Sequence, residues 1–195
     1  GPPVTNGISL FDGTGTSADE RHHFLDVLAL SPASRLFETV NGSTACPDES
    51  LDAVLCIDAI ALVPDRAAAL ADWARILKPG GRVLYTDPAI IAGLVTSDEL
   101  AMRSSMGFFV FSPQGENEFL IEAAGLRLLR ADDATDTIAL AAAHLRTDRA
   151  RDEGDLVAVE GRGRYDARQR FLDVVHRLAS ERRLARIAFL AEKSR

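Results

Sequence analysis

Cysteine is scarce in this chain: Cys46 and Cys56 are the only two among 195 residues, accompanied by four histidines. Two thiols cannot build a disulfide framework, and neither has a partner at zinc-ligand spacing, so no metal site is expected and a reducing, cytoplasmic setting fits best. Long apolar runs are also missing. None approaches the roughly 18–20 residues that span a bilayer, and no basic segment followed by an apolar core opens the chain, so neither a membrane partner nor an export signal is expected. Basic residues are outnumbered 29 to 22, for a formal charge of −7, which disfavours a surface that tracks nucleic-acid phosphates. A chain that is 47% hydrophobic and 26% charged nevertheless has enough apolar content for one well-packed domain, with a small molecule as the expected partner.

What is present alternates between two periodicities. "PVTNGISLF" (residues 3–11) has strand character, and Ser17 can cap a helix carrying Phe24, Val27 and Leu28 on one face. "SRLFETV" (34–40) reads as a strand ending at Asn41-Gly42, and "LDAVLCIDAI" (51–60) is a continuous apolar run of the kind found in a parallel strand covered on both faces. Asp65 can cap a helix striped by Leu70, Trp73, Ile76 and Leu77, which Lys78 and Pro79-Gly80 would end. "RVLYTD" (82–87) is the next strand, Ser112-Pro113 would open a helix closed by Gly125, and "LRLLRA" (126–131) is a strand again. Two helical stretches, about 135–154 and 166–183, are separated by "GRGR"; "LARIAFLAEK" (184–193) closes the chain as a strand. This order predicts an α/β fold with a mainly parallel sheet and helices on both faces.

Two segments narrow the reading. "PDESLDAVLCIDAI" (47–60) and "LKPGGRVLYTD" (77–87), one amphipathic helix apart, resemble the fourth and fifth strands of class I S-adenosylmethionine-dependent methyltransferases. The resemblance implies a Rossmann-like fold with an antiparallel last strand, a helical lid at 133–183 within a single domain, and S-adenosyl-L-methionine as cofactor. It places Asp58, Ala59 and Ile60 at the carboxyl edge of the sheet, where open α/β folds bind ligands. Asp87 would emerge on the same rim, although an aspartate at a strand end also serves as a helix cap. Asn41, Gly42 and Ser43 fall where the family reads the adenine, and Asn41 would replace the usual acid. Ser9 and Leu10 fall where it holds the ribose, with serine again in place of an acid.

The family's glycine-rich loop has no counterpart here at the right distance. "FDGTGTS" (11–17) looks similar, but the interval from Gly13 to Leu51 is too short for the strand, helix and strand that should intervene. In the register that fits, 4–11 is the family's second strand, and the first strand and its loop are not in the chain. The histidine many small-molecule relatives carry after the fourth strand is replaced by Ala61 and Leu62. Proton removal would then fall to His144, His176 or Asp87, and transfer would rest mainly on alignment. Arg103, Met106, Phe108 and Phe109 form the candidate acceptor wall. Two functions remain open: methyl transfer to the O, N or C of a small acceptor, or a non-catalytic methyltransferase-like module that binds or forms a homodimer.

Overall fold

The computed structural model describes residues 46–195 in full and residues 36–38 by backbone. Ser9, Leu10, Asn41, Gly42 and Ser43, and the helix expected after Ser17, lie outside the described residues. The chain divides into two compact units, one holding the described residues up to Asp87 together with 115–132 and 188–195, the other holding 88–114 and 133–187.

The sheet order among the described residues is β1 (Leu36–Glu38), β2 (Leu51–Cys56), β3 (Leu77–Ile91), β6 (Leu184–Lys193) and β5 (Leu126–Asp133), with the two-residue β4 (Ser112–Pro113) beside β3. β1 and β3 both pair parallel with β2. β2 is therefore an inner strand buried on two faces, which is why its sequence reads as one apolar run. Ala53 and Leu55 pack with Leu84 and Leu190 in one cluster. On β3, Tyr85 alternates with Leu84 and stacks on Phe189 at 5.1 Å between ring centroids, with Trp73 tilted against it at 5.7 Å.

Trp73 comes from α1 (Arg66–Ile76), whose Asp65 cap accepts a hydrogen bond from the Ala68 amide at 2.8 Å, as the sequence predicts. The helix ends one residue earlier than its apolar stripe suggests. Leu77 is already extended and lies opposite Leu51 in the sheet, so the "LKPGG" segment belongs to β3 rather than to a free turn. The register moves from Leu51↔Leu77 to Ala53↔Arg82, and the surplus residues of β3 form an irregularity in which Gly80 has φ 77°.

Two further boundaries differ from the expectation. β3 does not stop at Asp87 but runs to Ile91, because Ala89 and Ile90 are buried and the restriction proline puts on its predecessor favours extended backbone. For the same reason Ser112-Pro113 opens no helix: Ser112 is fully buried and pairs with Ile90, and α3 (Glu116–Ala123) begins only after Gly115, at φ 89°.

In the second unit, α4 (Thr135–Arg151) packs against α6 (Arg162–Ser180) through Ala142, Leu172 and Val175, joined by Ile138 and Phe171. Between them lies a separate helix, α5 (Glu153–Glu160), that falls almost wholly in the gap between the two helical stretches expected at 135–154 and 166–183. It has no buried residue and is held at its ends by charge: Glu153 pairs with Arg162 at 2.7 Å, and Glu160 pairs with Arg149 and with Arg168. An apolar pattern cannot reveal a helix docked this way. The true break is Gly161, at φ 82°.

The same unit contains α2 (Ser97–Arg103), closed at its start by a capping box between Thr96 and Glu99. Glu99 also receives both Arg183 guanidinium nitrogens, at 2.7 and 2.8 Å. Those bonds, reinforced by the Thr96 amide, pull the Glu99 carboxyl from its ordinary 4.5 down to about 2. A depressed folded-state value stabilises the fold fully above 4.5 and progressively less as pH falls through 2. In thermal melts from pH 5 to pH 2, Glu99→Gln is therefore expected to lose less melting temperature than the parent chain. Parallel curves would mean that the Arg183 contact is not maintained in solution.

Candidate functional site

Ligands of open α/β sheets bind where parallel strands end at their carboxyl termini, and here the chain leaves β2 through an unusual conformation. Asp58, two residues past Cys56, has φ 53°, in the left-handed region that costs most side chains on the order of 1 kcal/mol or more and that Asp and Asn tolerate best. Its backbone N–H donates to Thr86 Oγ1 at 2.7 Å, and the Thr86 hydroxyl donates to Asp58 Oδ1, also at 2.7 Å. One side chain of β3 thus fixes both the backbone and the carboxylate at the tip of β2. Ala59 and Ile60, which follow, are 3% and 0% exposed, so only their backbone can face a ligand, whereas Asp58 is partly exposed.

Asp87, two residues on from Tyr85, shares with it the face of β3 opposite to Thr86. Its side chain is fully buried and forms an ion pair with Arg66, the first residue of α1. Asn117 of α3 donates to the same carboxylate oxygen at 2.9 Å and accepts from the Tyr85 hydroxyl at 3.2 Å. Burial, and next the Asp87 charge, drive the Tyr85 phenol well above the usual tyrosine range, so it stays protonated and donating. Asp87 is thus enclosed by protein partners. Thr86, Arg66 and Asn117 are absent from the sequence-derived site. The one signal that could have found Thr86 is its place at a strand end, facing away from both Tyr85 and Asp87.

The remaining candidates lie in the second unit. Arg103 is buried, with its guanidinium 4.3 Å from the Phe109 ring centroid and 5.4 Å from that of Phe171. Met106 and Phe108, by contrast, are 45% and 65% exposed. His144 is exposed on α4. His176 on α6 places Nδ1 3.0 Å from the Ala139 carbonyl, and since a carbonyl only accepts, Nδ1 carries the proton and Nε2 is the basic nitrogen of the neutral ring. A groove of ≈ 650 Å³ lined by α2, α4 and α6 includes none of these candidates; Met102, Arg146 and Asp173 are among its walls. Among the described residues no group of three potential ligands could hold a metal, and neither cysteine forms a disulfide.

Comparison with known proteins bears directly on the β2–β3 tip. Residues 18–85 match the family described as "Methyltransferase domain". Over that stretch, which is less than half of its length, the chain resembles a methyltransferase domain. Among its relatives is methyltransferase GfsG of Streptomyces halstedii, 33% identical over 95 residues that cover 46% of this chain and 33% of that protein. Another is O-methyltransferase rstn1 of Aspergillus nomiae, 29% identical over 96 residues, covering 49% and 43% respectively. The chain thus spans less than half the length of the curated relatives it matches. The fold also matches Haemonchus contortus phosphoethanolamine N-methyltransferase 2, solved with phosphomonomethylethanolamine and S-adenosylhomocysteine, at TM-score 0.69 and 19% identity over 77% of this chain and 35% of that one. At that identity the likeness supports the α/β methyltransferase fold, as the sequence predicts. The family match ends at Tyr85, so it includes the whole of β2 and Asp58 and stops one residue before Thr86.

Proposed function

We propose that this protein transfers a methyl group from S-adenosylmethionine to a small, partly apolar acceptor. The observation that carries this reading is the acid at the carboxyl end of parallel β2, held in a left-handed backbone conformation inside the region that matches the family. A functional tip of this kind is where strain is retained because its surroundings enforce it. The cofactor's amino and hydroxyl groups are hydrogen-bond donors and an ionised carboxylate is an acceptor, so the donor set fits. The cofactor supplies an electrophilic methyl carbon, and the chain's own work is to bind, to align and to exclude water.

Arg103, with Phe109 against it, and the exposed Met106 and Phe108 are proposed to contact the acceptor. Asp87 is given a structural part because its carboxylate is committed to Arg66 and Asn117. Where the acceptor must lose a proton, Nε2 of His176, whose ring is oriented by the Ala139 carbonyl, is the candidate base in preference to His144. No helix among the described residues is long and apolar enough to cross a membrane, and two thiols outside any disulfide fit a reducing cytoplasm.

Titration calorimetry of the full chain with S-adenosylhomocysteine is expected to give saturable one-to-one heat. No heat at millimolar ligand would leave the non-catalytic module as the better reading.

A further inference from the structure

We infer that Thr86 is a positioning residue for cofactor binding, acting only through Asp58; the inference rests on the methyltransferase reading above. The β2–β3 ladder ends at Cys56↔Tyr85. One step beyond, the backbones no longer pair, and the Thr86 side chain takes over: its hydroxyl accepts the Asp58 amide and donates to the Asp58 carboxylate. Thr86 is only 6% exposed, so water competes poorly for these bonds. Its own position is anchored from behind, because Tyr85 and Asp87 on either side of it are engaged with Asn117, and Asp87 also with Arg66.

The arrangement does two things. It offsets the cost of a left-handed aspartate, and it orients the carboxylate before a ligand arrives, so that little ordering is left to be done on binding. A residue that merely packed there would be served equally well by valine, which has nearly the same shape and no hydroxyl.

The test is calorimetry with S-adenosylhomocysteine, and steady-state kinetics where an acceptor is in hand, on the full chain and on Thr86→Val, Thr86→Ser, Asp58→Asn and the Thr86→Val/Asp58→Asn double variant. All are measured well below their melting temperatures. Losing an oriented, charge-bearing contact is expected to weaken binding of Thr86→Val about tenfold, and to raise KM for S-adenosylmethionine with kcat little changed. Thr86→Ser, which retains the hydroxyl, should return to within about threefold of the parent on the same scale. Because Thr86 acts through Asp58, the double variant should bind no more weakly than the worse single variant, whereas independent roles would add. Parent-like binding by Thr86→Val, no rescue by serine, or additive losses would each overturn the role of Thr86 while leaving the methyltransferase reading in place. Absence of binding by the parent chain would overturn both.

Discussion

Replacing Asp87 with alanine is expected to cost about 3–5 kcal/mol of unfolding free energy in urea titrations, the range typical of stranding one member of a buried ion pair. Arg66 and Asp87 have side chains only 4% and 0% exposed, so neither charge can turn to bulk water when the other is removed. Asn117 does not rescue the variant: its amide oxygen accepts from Arg66 at 3.4 Å, but a neutral amide supplies no countercharge to the guanidinium. Asp87→Asn keeps a hydrogen-bond acceptor but not the charge, and should fall between the parent and Asp87→Ala. Removing both charges with Arg66→Met/Asp87→Leu should recover most of the loss, because the pair has already been desolvated at a cost that its attraction only partly returns. A loss below about 1 kcal/mol for Asp87→Ala would indicate that water reaches this face of β3, and the anchoring of Thr86 would then need another basis.

Gly81→Ala is expected to cost about 2 kcal/mol or more, in line with forced overpacking of a closed site. A Cβ at this position would stand 2.8 Å from the Lys78 carbonyl oxygen, 3.1 Å from that of Asp52 and 3.1 Å from Leu77 Cδ2. Two of those neighbours are backbone atoms of paired strands and cannot swing aside. Gly154→Ala is the matched control: nothing lies within 4 Å of its Cβ site and it sits on helix α5, so alanine should be neutral or stabilising by up to about 1 kcal/mol. Equal melting temperatures for the two variants would mean that the β2–β3 irregularity relaxes around a methyl group. The second glycine of the "LKPGG" motif is thus required by close approach of strands, while Gly80, at φ 77°, is required by backbone conformation.

Much of the fold was legible because its signals are local. The unbroken apolar stretch of β2, the Asp65 cap and the 184–193 strand all declare themselves within about ten residues, and the two motifs at 47–60 and 77–87 carry the resemblance to methyltransferases. The errors have local causes too. The sequence pattern makes Pro79 a helix stop and Pro113 a helix start, but both lie inside strand segments, where extended backbone suits them. Helix α5 escaped notice because it buries nothing and is held by ion pairs at its ends.

The candidate site was legible only in outline. Asp58 could be placed at a strand end, and Arg103 beside an aromatic cluster. Which faces of β3 its last residues occupy, and what meets them there, could not be read. Asp58 and Thr86 are 28 positions apart, Arg66 and Asp87 21, Asp87 and Asn117 30. Periodicity relates residues to a solvent face or a core face, but it carries no information on which polar groups converge across elements.

The sequence by itself determined the class of architecture and the inner position of β2, since burial on two faces and tight helix-to-strand passage each demand particular residues in a row. Only the tertiary structure decided that Asp87 is an enclosed structural anion, that Asp58 is the partly exposed acid at the rim, and that Thr86 holds it there. The reason is physical: alternate side chains of one strand point to opposite sides, so two neighbouring residues of similar polarity acquire unrelated partners once the helices have packed.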